Sequence, residues 1–156
     1  MADHKDVVTV ERLIPAEASA IFELLAHPSR HRDIDGSGTV RDAKGTGKDD
    51  RLTLGATFGM SMKMGLPYSM ASKVIEFEEG RRIAWQTRGP GAVGGLVGGR
   101  IWRYELEPVE GGTLVKESWD ITKESPVTKP AVRRLATKTA ENMSATLARI
   151  EDLLAT

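Results

Sequence analysis

The carboxyl group of Glu117 has the strongest case for chemistry in this sequence. Glu117 alternates with polar residues along a predicted strand and shares its face with Val115, Trp119 and Ile121. If that face points inward, desolvation would raise the pKa of the carboxyl group and make it a candidate general acid or base. The alternative, which we favour from the sequence, is an ion pair with a cation such as Arg103 or a position at the solvated rim.

Histidine offers a second candidate acid or base. His31 could lie at the mouth of a cavity, although an exposed position is the more typical one for such a residue. His27 and His31 have a spacing that zinc ligands can have, but Pro28 lies between them and ends the preceding helix. The sequence therefore predicts no metal site.

Two loops imitate known ligand-binding motifs. Residues 33–44 follow the spacing of a calcium loop, but Lys44 occupies the position that requires a bidentate glutamate. Residues 89–94 fit G-x-G-x-x-G, but another strand follows them instead of the helix that a dinucleotide site needs. We therefore expect no calcium, no nicotinamide dinucleotide and no other cofactor. A second interpretation makes residues 89–99 an apolar lid that carries Leu96 and Val97 on glycine hinges.

A larger set of inward-facing residues could line a cavity. Broad aromatic rings and flexible methionines adapt to varied apolar ligands, although most of them would also serve as ordinary core. The predicted ligand-binding residues are Phe58, Met60, Met62, Met64, Trp85, Leu96, Trp102, Tyr104, Glu117, Trp119, Met143 and Leu147.

These residues must be positioned by a run of strands that ends in one long helix. The patterns predict a strand over residues 7–14, a helix over 16–26, a helical turn over 29–33 and about six strands between 39 and 121. The clearest strand covers residues 52–64, where every even position is apolar. Tight turns between consecutive strands favour an antiparallel meander.

The last predicted element is a helix over residues 127–154. Its apolar stripe comprises Val132, Leu135, Ala136, Thr139, Met143, Leu147, Ile150 and Leu154. A lone helix cannot bury such a stripe, so the strands must curve around it. The predicted fold is α+β, with a curved antiparallel sheet of about six or seven strands wrapped around the C-terminal helix and two short helices after the first strand.

The length, charge and cysteine content of the chain argue against several classes of structure and function. The chain has 156 residues, which fits one domain over residues 1–156. Twenty-two basic and 22 acidic residues give no net charge, which argues against non-specific nucleic-acid binding. The absence of cysteine excludes a disulfide or a thiolate nucleophile. We expect a soluble cytoplasmic protein without a membrane span, as a monomer or weak homodimer.

Four segments resemble a known superfamily. They are residues 13–17 (LIPAE) leading into 22–25 (FELL), residues 74–85 (VIEFEEGRRIAW), residues 102–108 (WRYELEP) and residues 111–120 (GGTLVKESWD). Together they are similar to the START-like, or SRPBCC, helix-grip superfamily, and in particular to its polyketide cyclase/dehydrase-like group. The resemblance implies a helix-grip fold and a partner among lipids, sterols, plant hormones and polyketides. The superfamily has no universal catalytic motif, so it assigns no catalytic residue here.

Three functions follow as expectations. The first is binding of a small, largely apolar molecule (lipid-, polyketide- or aromatic-like) in a cavity between the sheet and the C-terminal helix. The second is a polyketide cyclase/aromatase or dehydratase in the same cavity, where Glu117 or His31 would move protons. The third is a protein-partner module whose cavity is vestigial.

Overall fold

The computed structural model describes residues 6–34, 40–44, 51–64, 66–89 and 98–155. Most elements in these ranges are strands, and the helices lie after the first strand and after the last strand. They are β1 (Val7–Ile14), α1 (Ala18–Ala26), a 3₁₀ turn (Pro28–Arg30), α2 (His31–Ile34), β2 (Val40–Lys44), β3 (Thr57–Met64), β4 (Leu66–Glu78), β5 (Arg82–Arg88), β6 (Gly98–Val109), β7 (Gly112–Asp120), α3 (Lys129–Arg133) and α4 (Ala136–Leu154).

All strands belong to one antiparallel sheet. Its order is β1-β7-β6-β5-β4-β3-β2, so β2 to β7 form a meander and β1 pairs with the outer side of β7. The pairing register shifts in three places, between Val40 and Asp42, at residues 74–76 and at residues 87–88. Such bulges bend strands and increase their twist. The sheet is curved, and the predicted α+β helix-grip architecture is confirmed.

The concave face of the sheet is covered by α4 together with α1 and α2. Leu147 and Ile150 of α4 belong to a buried cluster that also includes residues of α1 and the inner faces of β4 to β7. Met143, one turn earlier, belongs to a second cluster with Trp119 and Val132. Because α4 supplies residues to both clusters, it connects the two parts of the core.

The C-terminal helix differs from its prediction at one point. The expected single helix over residues 127–154 is divided, since α3 ends at Arg133 and α4 begins at Ala136. At the break the N–H of Leu135 bonds to the carbonyl of Val132, three residues back. This tighter 3₁₀ spacing rotates the side chains relative to an α-helix. Leu135 is therefore 41% exposed, and its placement in the buried stripe was wrong.

Two other elements begin at different residues from those predicted from the sequence. The strand expected from residue 52 begins at Thr57, because the N–H of Leu52 bonds to the carbonyl of Ala26 and Gly55 turns the chain with a φ of 85°. Leu54, predicted to face inward on that strand, is 65% exposed. The first helix begins at Ala18 and not at residue 16, where the backbone still turns out of β1.

Candidate functional site

The three tryptophans form one row across the concave face. Strand register places Trp119 of β7 opposite Trp102 of β6, and Trp102 opposite Trp85 of β5. Residues in direct cross-strand positions have neighbouring side chains on one face. Trp119 and Trp85 are buried, whereas Trp102 is half-buried and contacts both core clusters. The row therefore places a partly accessible indole between two buried ones.

The adjacent row contains the carboxyl group singled out from the sequence. Glu117 lies opposite Tyr104, and the Tyr104 hydroxyl donates a hydrogen bond to Oε2 of Glu117 over 2.9 Å. Glu117 is 2% exposed and Tyr104 is 5% exposed. The strand neighbours on the same face, Val115 and Trp119, are also buried. A carboxyl group thus lies deep in an apolar interior, and the expected position at a solvated rim was wrong.

Arg103 does not hold Glu117. It follows the half-buried Trp102 along β6, and successive strand residues point to opposite faces, so Arg103 points to the convex face. There its Nε donates to Oε1 of Glu76 over 3.0 Å, and its Nη1 lies 3.6 Å from Oδ2 of Asp120. The hydrogen bonds from Arg103 lower the pKa of Glu76, and those to Glu76 raise the pKa of Arg103. The expected ion pair between Glu117 and Arg103 was wrong.

His31 lies inside the protein and not at its surface. It is 6% exposed, and its Nε2–H donates to the carbonyl of Leu25 over 2.8 Å. Its ring stacks on Trp85 with 4.9 Å between centroids and 20° between planes, and Phe58 meets it edge-on at 5.5 Å. The hydrogen bond fixes a proton on Nε2, because a carbonyl oxygen only accepts. The more typical exposed position that we expected was therefore wrong.

A chain of ring contacts connects the two candidates. His31 stacks on Trp85, and the Trp85 ring lies 5.7 Å from the ring of Tyr104, which binds Glu117. We call His31, Trp85, Tyr104 and Glu117 the aromatic–carboxyl cluster. It combines the polar groups of His31, Tyr104 and Glu117 with flat aromatic surfaces, which is the composition of a site that orients an apolar ligand through a few polar groups.

The sequence reasoning missed a polar pair next to this cluster. Ser72 of β4 lies opposite Thr87 of β5, and their hydroxyl oxygens are 2.9 Å apart in the interior. Thr87 shares its strand face with Trp85, two positions away. The alternation that puts Thr87 on the face of Trp85 is visible in the sequence, but the partner of Thr87 follows only from the strand register.

The remaining predicted ligand-binding residues divide into two groups. Phe58, Met143 and Leu147 are buried parts of the core. The side chains of Met60, Met62 and Met64, and the whole of Leu96, lie outside the described residues. Residues 90–94 of the glycine pattern and residues 35–39 of the calcium-like loop also lie outside them.

An open depression occurs at the opposite end of β7 from Trp119. It is lined by the turn between β1 and α1, including Pro15 and Ala16, and by the β6–β7 hairpin, including Pro108 and Gly111. It is separate from the aromatic–carboxyl cluster. Across the ranges that the structure describes, no three His, Cys, Asp or Glu residues gather as metal ligands do. No helix in those ranges has the length and apolar character needed to cross a bilayer.

Residues 5–155 match the family described as polyketide cyclase / dehydrase and lipid transport. The chain belongs to this family. The structure has the helix-grip architecture of its structural neighbours, and the resemblance noted in the sequence is confirmed.

Three proteins are similar to this chain in sequence or in structure. Uncharacterized protein Rv0088 of Mycobacterium tuberculosis is 32% identical over 146 residues, which are 89% of this chain and 60% of that protein. The chain thus spans about 60% of the length of the curated relatives it matches. Protein CV1439 from Chromobacterium violaceum has a TM-score of 0.72 at 17% identity, over 97% of this chain and 98% of that one. DynU16, a putative protein in the dynemicin biosynthetic locus, has a TM-score of 0.67 at 14% identity, over 97% of this chain and 48% of that one. At these identities the two structures show the fold alone.

Proposed function

We propose that this protein binds a small, largely apolar molecule between the concave face of its sheet and the C-terminal helix. The observation that carries the proposal is the buried pair of Tyr104 and Glu117 beside a row of three tryptophans. Burial of a carboxyl group is costly, and a few polar groups among flat apolar surfaces are typical of a ligand pocket. Departures from the usual rules of packing concentrate at functional sites.

The side chains have separable roles in this proposal. The indole of Trp102, which is half-buried, gives a flat surface for a lipid-, polyketide- or aromatic-like ligand. A carboxylate can accept several hydrogen bonds, so Glu117 can receive one from a ligand hydroxyl in addition to that from Tyr104. His31 helps to fix the orientation of the Trp85 ring by stacking on it. The family description, with its polyketides and lipids, supports the same class of ligand.

Native mass spectrometry of the purified protein tests the proposal directly. We expect a co-purified small molecule, seen as an added mass that disappears on denaturation. Titration with the apolar dye anilinonaphthalene sulfonate should give a saturable rise in dye emission with quenching of tryptophan fluorescence.

Two variants test whether the dye binds beside the row of tryptophans. Trp102→Ala should weaken dye binding, whereas Phe77→Ala, which removes a half-buried ring that packs on Phe22 away from the row, should leave it unchanged. A wild-type protein without saturable dye binding and without a co-purified molecule would rule out the proposed function.

A second candidate function is cyclisation and dehydration of a poly-β-keto chain, which the family description and the buried Glu117 both favour. The carboxylate of Glu117 would take a proton from a carbon between two carbonyl groups. That carbon would attack a further carbonyl of the same chain, forming a carbon–carbon bond, and the new alkoxide would take up a proton. Loss of water, as a proton from the neighbouring carbon and the new hydroxyl group, would then form a carbon–carbon double bond in the ring.

The two functions are separated by turnover. Incubation with a synthetic poly-β-keto thioester should give, for a cyclase/dehydratase, a cyclic product lighter by one water. Glu117→Gln should abolish this product while retaining dye binding. If Glu117→Gln forms the product at the wild-type rate, Glu117 is not the base. If the wild type forms no product above the rate without protein, the cyclase/dehydratase function is ruled out.

A further inference from the structure

The segment around α3 presents an outward surface that the ligand-binding site does not use. Backbone hydrogen bonds run from Lys129 to Ser125, from Val132 to Thr128 and from Thr139 to Leu135, so helical geometry extends well beyond α3 itself. Side chains three and four residues apart share a side within each helical stretch, and the 3₁₀ step at Leu135 separates the two stretches. Val132 and Thr139 are buried, whereas Arg134, Leu135 and Lys138 between them are exposed.

Exposed apolar side chains belong to this outward surface. Val127 is 68% exposed, the highest value among the large apolar side chains that the structure describes, and Leu135 is 41% exposed. Ala131, which lies between them along the helical turns, is also exposed. A single exposed apolar side chain is normal, whereas several on one side of a helix indicate a contact surface.

Cations surround these apolar residues. Residues 121–139 contain five Lys or Arg residues and one acidic residue. Lys129 and Arg133 pair with Asp6, which leaves Lys123, Arg134 and Lys138 as the basic side chains of the outward surface. The acidic one, Glu124, turns inward to Arg100. No acidic side chain within the described ranges lies within ion-pair distance of Lys123 or Arg134. Lys138 has only a loose, exposed contact of 3.8 Å with Glu141.

We propose that this basic surface, formed by Lys123, Val127, Arg134, Leu135 and Lys138, docks the protein on an anionic phospholipid bilayer. Charge complementarity selects a negative partner. The apolar residues select a bilayer over a purely polar polyanion, because Val127 and Leu135 can enter the headgroup boundary while the basic side chains stay at its surface. The protein would lie on the bilayer without crossing it.

The expected strength follows from the number of charges. Each Lys or Arg close to an anionic leaflet strengthens binding by roughly fivefold, so neutralising two should weaken it by about 25- to 30-fold. The contribution should also decrease as salt increases, since the contact is exposed to solvent.

Vesicle sedimentation tests the surface. The full chain is mixed with vesicles of phosphatidylcholine alone, and with vesicles of equal parts phosphatidylcholine and phosphatidylglycerol, at low and high salt. We expect sedimentation only with phosphatidylglycerol and low salt. Arg134→Gln with Lys138→Gln should weaken binding by the factor above, and Val127→Ser with Leu135→Ser should weaken it without any change of charge.

Matched controls lie elsewhere on the surface. Lys116→Gln with Arg81→Gln removes the same charge, and Leu54→Ser with Leu13→Ser removes two side chains that are 65% and 51% exposed. Both control pairs should bind vesicles like the wild type. All these positions are exposed, so thermal melting should be nearly unchanged and a loss of binding can be assigned to the surface.

Three results would overturn the proposal. The first is no sedimentation with phosphatidylglycerol vesicles at low salt. The second is equal binding by test and control variants. The third is double-stranded DNA binding as strong as vesicle binding, with Val127→Ser and Leu135→Ser without effect on either, which would make the surface a general polyanion site. None of these results bears on dye binding at Trp102, so this proposal and the proposed function fail independently.

Discussion

The hydrogen bond between Tyr104 and Glu117 should couple the two residues more strongly than an exposed contact of equal length. Both side chains are almost fully buried, and the oxygen–oxygen distance is 2.9 Å. A hydrogen bond to a charged group contributes about 1.5–3 kcal/mol, and removal of one partner leaves the other to carry its desolvation cost. Tyr104→Phe and Glu117→Met should therefore each destabilise the protein, but together they should cost less than the sum by about 1.5–3 kcal/mol.

The same sheet supplies the control. Arg82 and Glu105 are direct cross-strand neighbours with a nitrogen–oxygen distance of 3.0 Å, but they are 46% and 37% exposed. Exposed pairs of this kind contribute about 0.2–1 kcal/mol. A second double-mutant cycle, with Arg82→Gln and Glu105→Gln, measures this weaker coupling in an identical background.

Urea denaturation of all variants gives the two coupling energies. We predict that the coupling energy of the buried pair exceeds that of the exposed ion pair by about 0.5–3 kcal/mol, because the hydrogen-bond lengths are nearly equal but solvent screens the exposed pair. Equal coupling energies would mean that the interior around Glu117 is solvated, and the reasoning about a desolvated carboxyl group would be wrong.

Two further predictions concern the helix and its attachment. Met143→Ala should lower the free energy of unfolding by about 2–5 kcal/mol because Met143 is 1% exposed, whereas Leu135→Ala should lower it by less than about 1 kcal/mol. Urea titrations that give equal losses for the two variants would contradict the break in the helix. The side-chain hydrogen bond from Arg133 is the main cause that lowers the pKa of Asp6. The pairing therefore stabilises the folded protein fully above the unfolded pKa of about 3.9, and this stabilisation is lost as the pH falls through the lower folded pKa. Asp6→Asn should flatten this acid decline in stability, and melting curves as a function of pH that match the wild type would argue against the pairing.

The general architecture followed from periodicity alone. The first strand was predicted with the boundaries that the structure shows, Val7–Ile14, because the segment is rich in β-branched residues and ends before Pro15. The face of Glu117 was also correct, since Val115, Trp119 and Ile121 are all buried. These features depend on local pattern, which a sequence displays directly.

The errors concern information that local pattern does not contain. Alternation extended the third strand back through Leu54, but Gly55 turns the chain there and leaves Leu54 exposed. The pairing of Tyr104 with Glu117 depends on the register between β6 and β7, which is set by the hairpin. The burial of His31 depends on how α2 packs on the sheet, a tertiary contact without any signature in the neighbouring residues.

The central claim is that a small apolar molecule binds against the concave face of the sheet. The chain has three tryptophans, and all of them belong to the row on that face. NMR spectra of isotope-labelled protein therefore give three indole N–H signals that report on the proposed site. We predict that titration with anilinonaphthalene sulfonate shifts the signals of Trp85 and Trp102 with one saturating curve, while the amide signal of Ser118, whose hydroxyl bonds to Thr9, stays unchanged. Dye binding that leaves all three indole signals in place would contradict the claim.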